Sequence, residues 1–168
     1  AWLREQAESL FDYFQSRTLF AGGGFIDLDP QGKPLAPENP VRPIHTTGRM
    51  VHCFAIASLL GRPGADDMVD HGMRFLWEKH RDTDKGGYFW SVDNDGPRDA
   101  TKQGYGHAFV LLAASSAKIV GHPLADRMLA DITETLNSHF WEPENGAIAE
   151  ELSRAWAPVP GYHGQNST

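Results

Sequence analysis

The residues best equipped for chemistry lie in the stretch Arg42-Pro43-Ile44-His45-Thr46-Thr47-Gly48-Arg49-Met50-Val51-His52. His45, Arg49 and His52 stand at i, i+4 and i+7, so on a helix they share one face. The opposite side carries Phe54, Ala57 and Leu60. A helix apolar around most of its surface is expected to be buried with its polar stripe facing a cavity, and an unpaired buried guanidinium costs on the order of several kcal/mol. Arg49 is therefore expected to meet either carboxylates, in a structural ion pair, or an oxygen-rich ligand. Zinc is a poor fit, because the two histidines are nearly two turns apart with no carboxylate between them.

A second group is Gln103-Gly104-Tyr105-Gly106-His107. Two glycines at a helix start weaken the helix, which argues for close approach by another group. The alternative is a plain helix-entry turn with a packed tyrosine. Tyr105 and His107 are expected at the same mouth as His45. The third group is His163-Gly164-Gln165-Asn166-Ser167-Thr168, where Asn166 or Ser167 also reads as a simple N-cap. Other motifs fail on spacing. Asp93-Asn94-Asp95-Gly96 has its glycine too early for a calcium loop, and Gly104 stands where the loop's last glutamate belongs. Gly22-Gly23-Gly24 lacks the spacing of a phosphate loop, and no serine or cysteine sits in a nucleophile elbow. Cys53, mid-helix among apolar residues, reads as core.

Helical periodicity predicts helices near 2–19, 44–60, 66–80, 103–119 and 124–140. The first carries the stripe Leu3, Ala7, Leu10, Phe11 and Phe14, and Gly22-Gly23-Gly24 stops it. Asp66 is the expected N-cap of the third. Short strands are expected at Phe25–Asp29, Tyr88–Val92 and Ala147–Glu150, with prolines 34, 37, 40 and 43 holding the intervening segment extended. The pieces repeat. Phe75-Leu76-Trp77-Glu78 before Gly86-Gly87-Tyr88-Phe89 matches His139-Phe140-Trp141-Glu142 before Asn145-Gly146-Ala147-Ile148. The period of about 60 residues is longer than that of common solenoids. A repeating helix pair with polar residues on alternate helices suggests an α/α toroid. Its hairpins would cap one mouth, and helices 44–60 and 103–119 would line the inside. The third repeat has a hairpin and no following helix, so residues 1–168 are expected to be the amino-terminal part of a single barrel domain.

Composition narrows the partners. The 168 residues suffice for one domain with a core. A formal net charge of −7 argues against nucleic acid and anionic membrane surfaces. No apolar run reaches the length of a membrane span. One cysteine excludes an internal disulfide and fits a reducing, cytoplasmic setting. Five Trp, four Tyr, nine Phe and eight His would suit a sugar ligand, and equally an ordinary core.

Together and in this order, His45-Thr46-Thr47-Gly48-Arg49-Met50-Val51-His52, Lys102-Gln103-Gly104-Tyr105-Gly106-His107-Ala108-Phe109 and Gly164-Gln165-Asn166-Ser167-Thr168 resemble the N-acylglucosamine 2-epimerase superfamily. The likeness is to its aldose–ketose isomerase branch, which includes mannose and sulfoquinovose isomerases, and it covers almost the whole chain. The resemblance implies an all-α (α/α)6 barrel, less than half of it present, and an isomerase without metal or cofactor that takes a monosaccharide. A base would take the proton from C2 of the open-chain aldose and return it at C1 through an enediol. The family's two principal catalytic histidines would lie beyond Thr168. By motif position Arg49, Tyr105 and Asn166 correspond to sugar-contacting residues, Arg49 steadying the enediolate oxygens; His45, His52 and His107 would complete the substrate-binding set. A homo-oligomer is compatible with this reading. The alternatives are a 2-epimerase of N-acylglucosamine or another aldose, a glycan-processing toroid hydrolase, and a non-catalytic binding protein of the same fold. A hydrolase wants a carboxylate on an inner helix, and the three groups contain none.

Overall fold

The computed structural model describes residues 2–159 and the backbone of Gln165 and Asn166. Five helices carry the fold: α1 (Trp2–Gln15), α2 (Ile44–Leu59), α3 (Ala65–Phe75), α4 (Gly104–Ile119) and α5 (Ala125–Thr135). α3 and α5 each run on into one π-helical turn, Leu76–His80 and Leu136–Phe140. α2 and α4 lie side by side, α3 backs α2, and α5 backs α4. α1 packs on the other flank of α2 through Phe11 and Phe54, whose rings stand 5.5 Å apart. The core joins Val51, Phe54 and Ala55 of α2 to Met68, Val69 and Met73 of α3, and continues through Val110, Ala113 and Ala117 of α4 to Met128 and Ile132 of α5. Each large side chain so buried contributes about 1.5–3 kcal/mol.

The strands are short and antiparallel. β1 (Arg42–Pro43), β2 (Ser91–Val92) and β3 (Pro97–Asp99) form one sheet, and β4 (Lys102–Gln103) pairs with β7 (Glu151–Leu152). β5 (Trp141–Glu142), β6 (Ala147–Ala149) and β8 (Gln165–Asn166) form a third sheet. β1 runs straight into α2 and β4 into α4, so strand pairing fixes where each of these helices begins.

The repeat holds atom for atom at a spacing of 60 residues. Ile44, the first residue of α2, donates its N–H to Trp90 O at 2.9 Å; Gly104, the first of α4, donates to Glu150 O at 2.8 Å. Both helices end in the same C-terminal motif. Gly61 and Gly121 take positive φ, 78° and 77°, and donate to the carbonyls of Ser58 and Lys118; Arg62 and His122 donate to those of Ala57 and Ala117. This double closure satisfies carbonyls that a helix end leaves bare, and glycine adopts the left-handed conformation without a Cβ penalty. From those positions the Arg62 side chain reaches back to Glu8, Asp12 and Gln15 of α1, and His122 to Asp70 of α3.

Buried polar groups lock the hairpins to the helices. Lys102 is fully buried and pairs with Asp82, itself 1% exposed, at 3.0 Å. Arg154 adds two hydrogen bonds to the same carboxylate. Burial pushes the Asp82 carboxyl up, but hydrogen bonds from Arg154, Lys102 and the Lys85 N–H outweigh it and hold the group well below the usual carboxylate range. His107 is buried, donates Nδ1–H to Gln103 O at 2.7 Å and accepts the Tyr88 N–H on Nε2 at 3.0 Å. Burial, the largest influence, pushes His107 down to about 3 and His80 to about 4, so both are neutral in the fold.

Four local expectations are corrected. α1 stops at Gln15 instead of Leu19 because Thr18 caps Phe14 O with both its N–H and its hydroxyl; Leu19 then bridges Phe25. Phe25–Asp29 is not a strand: it makes isolated bridges at Phe25 and Leu28 only. Asp66 is not the N-cap of α3, which opens at Ala65 after left-handed Gly64; Asp66 instead accepts the Ser58 hydroxyl at 2.5 Å. Cys53 is exposed, at the edge of an apolar groove between α1 and α2.

Two outcomes follow. An alanine at Gly48 would place its Cβ 2.6 Å from Phe109 O, so Gly48→Ala should lose about 1–3 kcal/mol instead of gaining the roughly 1 kcal/mol usual for a helix interior. Urea unfolding of the two proteins measures this. Acid should destabilise the fold early. Below the unfolded-state histidine value of about 6.5 the unfolded chain binds protons that folded His80 and His107 refuse, so stability falls with pH by about 1.4 kcal/mol per unit for each. The urea midpoint should be lower at pH 5 than at pH 7; a constant midpoint would mean these imidazoles are not held neutral.

Candidate functional site

The close packing of α2 on α4 at Gly48 brings the first turns of both helices together. Arg49 donates from Nη2 to the Tyr105 hydroxyl at 2.5 Å. Its guanidinium carbon lies 4.6 Å from the centre of the Phe109 ring and 5.9 Å from that of Tyr105. The His45 ring stacks on Trp90, 4.9 Å between centres at 22°, and stands 6.0 Å from Tyr105. Tyr105 and Phe109 meet edge to face at 4.9 Å. One cation, a phenol, an imidazole, an indole and a phenyl ring thus share one patch.

Arg49 is exposed on the polar stripe of α2. That helix keeps an open stripe, with Ile56 43% exposed on the same side and Leu60, expected on the opposite side but falling on this one, 50% exposed. Among the described residues no carboxylate pairs with Arg49. Among them too, only Tyr105 occupies one of its five N–H donors.

The histidines divide. His45 is held below its ordinary pKa by burial first and by the Arg49 charge second, against a weaker pull from Asp27. Its Nδ1 is buried with no partner. His52 lies further along α2, with Nδ1 2.8 Å from Ser116 Oγ. Ser116 commits its one hydroxyl proton to Leu112 O at 2.7 Å, so His52 Nδ1 is the donor. His107, expected beside Tyr105, turns into the core, where both nitrogens are consumed by backbone groups and none is left for a ligand. Asn166 sits on β8 opposite Ile148; its side chain, and His163, Gly164, Ser167 and Thr168, lie outside the described residues. Trp90 is a wall residue that the sequence reading placed in a strand without a role; period-2 patterning gives no sign of which way one ring on a short hairpin faces.

A fixed guanidinium beside a phenol hydroxyl suits two neighbouring oxygens on which negative charge develops. Among the described residues no group of three His, Cys, Asp or Glu side chains is arranged to hold a metal ion.

The model of one family, N-acylglucosamine 2-epimerase (GlcNAc 2-epimerase), matches residues 23–168. The D-mannose isomerase of Thermobifida fusca is 39% identical over 170 residues, 99% of this chain and 40% of that protein. The D-mannose isomerase of Pseudomonas cannabina pv. alisalensis is 36% identical over 167 residues, again 99% of this chain and 39% of that protein. A crystal structure of D-mannose isomerase superposes with a TM-score of 0.88 at 28% identity, covering 97% of this chain and 41% of that one. The chain therefore spans about 40% of the length of the curated relatives it matches, and its architecture is that of the (α/α) toroid. With the family match running from Gly23 through the last residue, this chain belongs to the N-acylglucosamine 2-epimerase family.

Proposed function

We propose that these residues are the amino-terminal part of an (α/α)6 barrel enzyme that interconverts an aldose and a ketose of the mannose–fructose type through an enediol. The observation that carries the reading is the Arg49–Tyr105 pair, an exposed cation and phenol hydroxyl 2.5 Å apart on adjacent helices with no carboxylate partner among the described residues. When the C2 proton leaves the open-chain aldose, charge gathers on the oxygens at C1 and C2. The N–H donors of Arg49 not given to Tyr105 can bind those oxygens in fork geometry, and binding that strengthens as the charge grows accelerates the step. The hydroxyl proton passes from the oxygen at C2 to that at C1, and the carbon-bound proton is returned at C1 to give the ketose. Neutral His45 offers the sugar hydroxyls an acceptor, and His52 and the Asn166 side chain are further contacts in this reading. The principal catalytic histidines belong, on this proposal, to the remainder of the barrel. A 2-epimerase would use the same charge stabilisation and return the proton to C2 from the other face. The free thiol of Cys53 favours a reducing, cytoplasmic setting.

In the complete enzyme, Arg49→Ala should lower kcat/KM for mannose by at least about a hundredfold, and Arg49→Lys should recover little of it, because an ammonium does not replace a planar fork. Normal turnover by the alanine variant would leave Arg49 without a part in the chemistry. Running the reaction in D2O separates the outcomes, since an isomerase places solvent label at C1 of fructose and an epimerase at C2 of the aldose. Residues 1–168 expressed alone should convert no mannose to fructose; conversion by this piece would move the whole of the chemistry into the helices described here.

A further inference from the structure

We propose that Trp90 is a sugar-contacting residue of this site, its indole N–H donating to a substrate hydroxyl while its ring fixes the orientation of His45. The inference rests on the isomerase reading for the identity of the ligand. Trp90 stands between the entrances of the two helices that carry the site. Its carbonyl accepts the Ile44 N–H at the start of α2, and its N–H donates to Thr101 O, just before β4 and α4. The repeat shows that this backbone role needs no aromatic ring. Glu150, 60 residues on, accepts the first N–H of α4 in the same way. The architecture therefore leaves the choice of side chain at this place free, and in the first repeat alone it is an indole.

The ring is placed by three contacts. One face stacks on His45 at 4.9 Å, and the ring centre is 6.5 Å from that of Tyr105. The Cε3–Cζ3 edge lies over Gly106, where an added Cβ would come within 3.2 Å and 3.4 Å of those two atoms. Nε1 is on the opposite edge of the bicycle, so it points away from α4's backbone. Among the described residues no acceptor takes its N–H, and the side chain is only half buried. The N–H is not one of the buried groups left without a partner, so it is free to meet a ligand, and a tryptophan at a site commonly presents an apolar body with a polar tip toward the ligand. The ring borders the same patch as Tyr105, whose hydroxyl takes one donor of Arg49. The stack does a second thing: it holds the His45 ring, whose Nδ1 has no hydrogen bond to orient it.

The test uses the complete enzyme with nitrogen-15 in its indole groups. D-mannose is titrated in while the indole resonances are followed, and Trp90→Phe, which keeps a ring on His45 but removes the N–H, identifies the Trp90 signal. That signal should shift on sugar binding. Trp90→Phe should raise KM by about fivefold to tenfold, as loss of one hydrogen bond does, with kcat within about twofold and an unchanged melting temperature. Trp90→Ala, which also frees His45, should lower kcat in addition. A Trp90 signal that stays still while mannose saturates the enzyme, or phenylalanine and alanine variants that change only the melting temperature, would overturn the proposal and make the residue purely structural. An enzyme that binds mannose with a shift at Trp90 but forms no fructose would support the contact and overturn the isomerase reading. An enzyme that binds no mannose at all would overturn both.

Discussion

Everything at the site depends on how near α2 comes to α4, and Gly48 sets that distance. With no Cβ, its backbone lies against the Phe109 carbonyl, and Arg49, the next residue, then spans to Tyr105 on the neighbouring helix. A similar device works behind it, where Gly72 of α3 lets Val51 of α2 seat against its backbone. α2 is thus wedged between two glycine contacts, one of its own and one of its neighbour's. Such contacts are unforgiving because a packed interior has no slack to absorb a methyl group. A side chain carried on a helix held this way has little room to change its place.

The hairpins supply the other half of the precision. A helix starts with N–H groups that have no partner inside it. In both repeats a hairpin carbonyl takes the first of them, Trp90 for α2 and Glu150 for α4. The buried Lys102–Asp82 pair then nails the entry of α4 to the turn after α3, with Arg154 closing it from the next hairpin. A buried ion pair of this kind adds little net stability, but breaking one side of it is expensive, so it acts as a specifier of position.

The helices were legible in the sequence because apolar spacing, glycine stops and prolines all pointed the same way, and the repeat was legible because Gly86-Gly87 and Asn145-Gly146 follow like patterns. The fold family could be read from three short motifs taken in order. What could not be read were directions. A helix apolar over most of its surface, such as α2, does not say from its pattern alone how open the cavity before its polar stripe is, and Arg49 stands exposed there. His107 next to a helix start reads equally as a ligand group and as an acceptor for a hairpin N–H, and only the position of Tyr88 decides. α1 was drawn too long because one threonine hydroxyl at Thr18 outcompetes the continuing turn. Trp90 gave no signal, since its place between two helix entrances exists only in three dimensions.

The side chains that follow each inner helix point backwards along the chain. Arg62 binds the helix made before α2, and His122 the helix made before α4. Asp131 on α5 likewise receives Arg81 and Tyr88 from the preceding hairpin. Every such tie joins a newly emerged unit to one already in place, and none waits for a distant segment. A ring assembled from neighbour-to-neighbour bonds of this kind can consolidate in the order of its synthesis. The nascent chain on the ribosome then grows as an ordered arc, each unit docking on a finished edge, with only its leading edge exposed at any moment.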